Sequence, residues 1–100
     1  MGILSSLFGG GRSEKVAEFL ENGAVIIDVR SPGEFQSGHN KGSKNIPLQN
    51  ISGSIAKIKA MKKPIVVCCA SGMRSGQAKS ILEREGIEVV NAGGWTALQN

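Results

Sequence analysis

Aromatic side chains are nearly missing from this chain: there are four in 100 residues, and none is a tyrosine. A core built without them must be aliphatic, which suits parallel strands covered by helices. Cysteine is confined to Cys68 and Cys69, neighbours in sequence. Adjacent residues of a strand point to opposite faces, so a bridge between these two would strain the backbone, and no disulfide framework is expected. Free thiols point instead to a reducing compartment and a cytoplasmic location. No apolar run is long enough to span a bilayer. No basic stripe is interleaved with aromatics, so nucleic acid is not the expected partner despite a net charge of +4. That mild excess of cations fits small anions or an acidic partner better.

What the chain does have is room for one core, and a pattern of alternating elements. Residues 1–12 read as a hydrophobic arm, with Ile3, Leu4, Leu7 and Phe8 before the hinge Gly9-Gly10-Gly11. Gly2 and Ser6 formally match a myristoylation signal, but that pattern is short and common. Residues 13–100 form the domain proper. Ser13 is a good N-cap for a helix that ends at Gly23, with Val16, Phe19 and Leu20 on its buried face. Ala24 to Val29 reads as a central parallel strand, which puts Asp28 near its C-terminal end. Ser31-Pro32-Gly33-Glu34 is a capping box with proline at the first helical position, and Gly38 ends that helix within two turns. Ser43 to Ile46 is a short strand stopped by Pro47. Ile51 to Met61 is an amphipathic helix weakened by Gly53.

The most informative stretch follows. Ile65 to Cys69 is a buried strand, Ala70 to Gly76 a tight loop of small and polar residues, and a helix is expected from Gln77. Gly86 ends that helix, Ile87 to Val90 is a last strand, and Gly93-Gly94-Trp95 reads as a turn. A cysteine between a strand end and a helix N-terminus is placed to become a thiolate, because free N–H groups and the helix dipole favour negative sulfur. Arg74 adds a full positive charge. The stretch therefore has the parts of a thiolate nucleophile in an anion-binding cradle. Strands alternating with helices imply a parallel sheet with helices on both faces.

Four segments together resemble the rhodanese-like family of single-domain sulfurtransferases. They are Val25 to Phe35 (I-D-V-R-x-x-x-E-F in the family), Gly38 to Leu48 (G-H-I-x-G-A-x-N-I-P-L), the loop Cys69 to Ser75, and Gly93-Gly94-Trp95. Asn40, Lys41 and Ser43 depart from the usual Ile, Pro and Ala, which implies altered local packing. The resemblance implies a three-layer α/β fold with a small parallel sheet of four or five strands, a fifth having to come from Met1 to Leu7. It also implies Cys69 as nucleophile and persulfide carrier, with Ala70, Ser71, Gly72, Met73, Arg74 and Ser75 binding the substrate. The donor would be a small anion such as thiosulfate, or a persulfide. The acceptor would be cyanide, a thiol or an acceptor protein. Neither metal nor organic cofactor is required.

Asp28, Arg30 and Glu34 are expected to form an ion-paired scaffold beside the loop. His39 is the only histidine; it could pair with Cys69 as a base, but a structural role in its glycine-bounded loop is the simpler expectation. Cys68 is expected in the core. Two other functions fit parts of the pattern. Counted from Cys68, the loop is C-x5-R, the spacing of cysteine-dependent phosphatases and arsenate reductases. A persulfide-carrying binding module with little turnover is the other.

Overall fold

The computed structural model describes residues 13–99; the expected N-terminal arm and any fifth strand drawn from it lie outside them. Four parallel strands form one sheet in the order β2-β1-β3-β4: β1 Val25–Asp28, β2 Lys44–Asn45, β3 Ile65–Cys69 and β4 Val89–Gly94. The helices are α1 Glu14–Glu21, α2 Pro32–Ser37, α3 Leu48–Ile51, α4 Ile55–Ala60 and α5 Met73–Arg84.

The helix ends follow from side-chain chemistry. Ser13 Oγ accepts the Val16 N–H at the start of α1, and Gly23 leaves its end at φ +82°, a conformation only glycine adopts cheaply. At α2, Ser31 and Glu34 close the capping box in both directions. The expected helix over Ile51 to Met61 is instead two short helices, α3 and α4, joined by a tighter turn at Ser52–Ser54. Serine and glycine are poor helix formers, and the 3₁₀ turn still keeps Ile51 and Ile58 on one buried face.

The sheet separates two apolar clusters. One face carries Ile27, Val29, Ile65, Val67 and Cys69, packed with Ile51, Ile58, Ala78 and Leu82 from α3, α4 and α5. The other carries Val66 and Cys68, packed with Val16 and Phe19 of α1 and with Leu98. Every residue of β3 is fully buried, as a central strand covered on both faces requires. Each fully buried Ile or Leu contributes on the order of 2 kcal/mol. These layers are the α/β arrangement expected from the alternation of elements.

The strand order places the site. From β1 the chain goes outward to β2, and from β3 it goes the other way to β4. Neighbouring strands whose connections diverge leave a crevice beyond their carboxyl ends, where open α/β sheets bind ligands. Here that crevice lies beyond Asp28 and Cys69.

Candidate active site

The sulfur of Cys69 occupies the place of a helix cap. Beyond β3 only Ala70, Ser71 and Gly72 precede α5, which starts at Met73, four residues before the Gln77 expected from hydrophobic spacing. Gly72, at φ +102°, makes the turn, and no side-chain oxygen caps the helix. The Gly72 N–H donates to Cys69 Sγ at 2.9 Å, the Ser75 N–H lies at 3.4 Å, and Ser75 Oγ at 3.3 Å. The unpaired N–H groups of a first helical turn thus converge on sulfur. Burial alone pushes the Cys69 thiol up. Hydrogen bonds from the Ser75 hydroxyl and from the N–H groups of Ser75, Gly72 and Ser71 outweigh it, and the thiol lies below its ordinary value. Cys69 has no exposed surface, whereas Ala70, Ser71 and Met73 of the segment that follows it are exposed.

One glycine on each side, Gly94 of β4 and Gly72 of the loop, allows the loop to sit where it does. A Cβ on Gly94 would stand 3.0 Å from the Ala70 carbonyl oxygen, and a Cβ on Gly72 would stand 3.2 Å from Gly93 Cα. Loop and strand meet backbone to backbone. Gly93-Gly94 therefore belongs to a strand, not to the expected turn. β4 runs to Gly94, with an irregularity in its pairing opposite Val67 and Cys68, where Asn91 pairs with Val67 but Gly93 with Cys68.

The charged residues form a chain beside the loop. Asp28 is fully buried and accepts from Arg30 Nε, Nη2 and backbone N–H, at 2.8 to 3.0 Å. Arg30 also donates to the carbonyls of Glu34 and Gly38, and its guanidinium lies 4.5 Å from the centre of the Trp95 ring. Arg74 is bound to Glu34 by two hydrogen bonds of 2.7 and 3.0 Å. The Arg74 contact holds the Glu34 carboxyl down at about 2, helped by Ser31. The capping box of α2 is thus also the dock for the loop's guanidinium, whose charge is balanced before any substrate arrives. His39 is not brought to the sulfur. Its ring stacks on Phe35 at 3.8 Å, and Nδ1–H donates to the Phe35 carbonyl.

Cys68 points the other way, into the α1 cluster. Burial pushes its thiol up to about 12, and the negative Asp28 adds to this. The C-x5-R frame counted from Cys68 consequently has no cradled nucleophile. Among the described residues no cluster of His, Cys, Asp and Glu is able to hold a metal ion, and no helix is long and apolar enough to cross a membrane.

Three contributors escaped the sequence reading. Asn40 is buried and donates to the Trp95 carbonyl, a use for one of the departures from the family pattern. Asn45 donates to the carbonyls of Asp28 and Arg30 and ties β2 to the end of β1. Asn91 reaches from β4 to the sulfur cradle. Asparagine carries no periodicity signal, and each of these partners is distant in sequence.

Comparison with known proteins agrees with this architecture. Residues 13–100 match the rhodanese-like domain family. The thiosulfate sulfurtransferase PspE of Escherichia coli is 46% identical over 70 residues, which cover 68% of this chain and 67% of PspE. The uncharacterized protein YqhL of Bacillus subtilis is 39% identical over 72 residues, 71% of this chain; the match spans only 56% of YqhL. A solved structure described as a rhodanese with anions from E. coli superposes with a TM-score of 0.70 at 40% identity, covering 76% of this chain and 92% of that one. The chain belongs to the rhodanese-like family.

Proposed function

We propose that this rhodanese-like chain is a sulfurtransferase that carries a sulfur atom as a persulfide on Cys69. The observation that supports the reading most is the convergence of Gly72 and Ser75 donors on one sulfur at the crevice between β1 and β3. The Cys69 thiolate attacks the outer sulfur of thiosulfate, the sulfur–sulfur bond breaks, and sulfite leaves with the bonding pair. The negative charge moves to the outer sulfur of the persulfide, where the same helix N-terminus holds it. A thiol or cyanide then attacks that outer sulfur and the Cys69 thiolate is restored. The thiolate is the reactive form in the first step, so the lowered Cys69 value serves the chemistry directly.

The likeness to PspE supports thiosulfate as a donor, and a persulfide-bearing thiol fits the same cradle. Ala70, Ser71, Gly72 and Met73 form the donor's entry. Ser75 stabilises the sulfur. Arg74, held by Glu34, anchors the helix start and supplies field to it. Asp28 and Arg30 brace the end of β1, and His39 stays structural. Two free cysteines suit a reducing, cytoplasmic setting.

Intact-mass spectrometry after incubation with thiosulfate tests this. A gain of about 32 Da, one sulfur atom held as a persulfide, should appear on the unaltered chain and on Cys68→Ser, and be absent from Cys69→Ser. No adduct on any form, with thiosulfate or with glutathione persulfide, overturns the reading.

A further inference from the structure

Asn91 makes three hydrogen bonds, and each one ends at the cradle or at the strand that backs it. Its Nδ2 donates to the Gly72 carbonyl at 3.2 Å, its Oδ1 accepts the Gly93 N–H at 2.9 Å, and the same Oδ1 lies 2.7 Å from Ser75 Oγ. The first two bonds fix which way the amide faces, since a carbonyl only accepts and an N–H only donates. Oδ1 is therefore the atom presented to Ser75. Ser75 is fully buried, and its hydroxyl has one hydrogen for two acceptors, Asn91 Oδ1 at 2.7 Å and Cys69 Sγ at 3.3 Å. A thiol sulfur is a weak acceptor and a thiolate a strong one. The shorter bond wins while sulfur is neutral; the charged bond competes once sulfur is ionised.

We propose that Asn91 is a positioning residue of the cradle, whose Oδ1 holds the Ser75 hydroxyl hydrogen while Cys69 is a thiol and yields it to the sulfur when Cys69 becomes a thiolate. The inference builds on Cys69 as the reacting sulfur. In the persulfide the charge sits on the outer sulfur and the inner one again accepts weakly, so the hydrogen swings back to Asn91. The hydrogen stays on Ser75 Oγ throughout; only its direction changes. One buried hydroxyl thereby serves both states of the cycle without leaving a polar group unpaired in either.

A double-mutant cycle separates this from a structural role. The readout is the pH midpoint of Cys69 alkylation by iodoacetamide, in a Cys68→Ala background that leaves one thiol. Asn91→Ala removes the competing acceptor, so the midpoint should fall by about half a pH unit, while Ser75→Ala should raise it. In the Ser75→Ala background, Asn91→Ala should have no effect. Asn91→Asp keeps both acceptor bonds, loses the bond to the Gly72 carbonyl and brings a negative charge that itself disfavours the thiolate; it should raise the midpoint, and less so without the Ser75 hydroxyl. Arg74 with Glu34, and Asp28 with Arg30, are the charged groups around the cradle, and none is altered by these changes. An unchanged or raised midpoint in Asn91→Ala overturns the proposal, as does the same shift with and without Ser75. If Asn91→Ala does not fold, as circular dichroism would show, equal shifts from Asn91→Asp in the two backgrounds overturn it. Alkylation reads the thiolate and not transfer, so a failed persulfide assay would leave this result standing on its own.

Discussion

Cys68 and Cys69 share a peptide bond, a strand and complete burial, yet the structure drives their chemistry apart. One thiol is pushed up to about 12 and the other lies below its ordinary value. Both suffer desolvation. Cys68 meets it among Val16, Phe19 and Leu98, where the Asp28 carboxylate adds to the penalty and the opposing charge of Arg30 is too weak to offset it. Cys69 meets it where a helix begins, and backbone N–H groups plus one hydroxyl more than offset it. The side-chain alternation of a β-strand decides which cysteine receives which surroundings. Burial by itself says little about reactivity; what differs is the supply of donors.

Turnover should break the pair most sharply. Cys69→Ser is expected to lower thiosulfate–cyanide sulfur transfer by at least about a thousandfold, since no second nucleophile is poised to replace it. Cys68→Ala should keep the rate within about twofold, at a stability cost of about 1 kcal/mol for a small buried side chain. Equal loss in both variants would mean that the face each sulfur occupies does not determine its use.

Alkaline pH should separate them next. An unfolded chain ionises Cys68 near its ordinary value of 9.0, whereas the folded chain keeps the proton to about 12. The folded state binds more protons across that window, so stability falls as pH rises, by about 1.4 kcal/mol per unit from this group. Cys69 has the opposite sign. Its folded value is depressed, so its contribution is complete above the ordinary value and is lost as pH falls through the folded one. Urea unfolding from about pH 8 to 11 should show a steep alkaline loss that Cys68→Ala flattens and Cys69→Ala does not.

How much of this was legible beforehand depends on the range of the interaction. Ser13, Gly23, the Ser31–Glu34 box and Gly86 act within a few residues, and each marks a boundary that the structure has. The opposite faces of Cys68 and Cys69 follow from the period of a strand. The start of α5 does not. Met73 to Gly76 shows no apolar spacing, because the outward turn of that helix faces the crevice and its N–H groups are satisfied by sulfur. Gly93-Gly94 looks like a turn in isolation; only the approach of the Ala70 carbonyl explains why Gly94 lacks a side chain, while Gly93 is set by its φ of +84°. The Arg74–Glu34 pair spans forty residues of sequence, and no local pattern announces it.

That close approach gives a sharper test of the donor argument. Gly94 has φ of −71°, an ordinary value for any residue, so Gly94→Ala changes only space. Its Cβ would meet the Ala70 carbonyl oxygen at 3.0 Å. Relief of that contact moves the loop and not the strand position of Cys68. We expect a cost of about 1–3 kcal/mol from overpacking. Sulfur transfer should fall by roughly tenfold, as a displacement well under 1 Å loosens the donor geometry. Cys68 should remain unreactive toward iodoacetamide. An unchanged rate would show that the cradle tolerates movement, and the contrast between the cysteines would then owe more to solvent exclusion than to aimed donors.

The smallest effect concerns charge at the mouth, where Cys69 has help that Cys68 lacks. Met73 is 76% exposed at the first position of α5, and the neighbouring Arg74 already spends its charge on Glu34. The exposed residues at the mouth, Ala70, Ser71 and Met73, therefore bring no charge of their own, and an anionic donor is drawn in mainly by hydrogen-bond donors. Met73→Arg would place an unpaired cation there. Between exposed charges a few ångströms apart the attraction is about 1 kcal/mol, so KM for thiosulfate should drop about three- to fivefold, with kcat nearly unchanged. Salt should erase the gain, because the pair is solvent-exposed. A lower KM that survives high salt would point to direct seating of the guanidinium on the sulfonate oxygens. No change in KM would mean that binding is set entirely by the donors that lower the Cys69 thiol, and that the same few N–H groups account for both the affinity and the reactivity of this site.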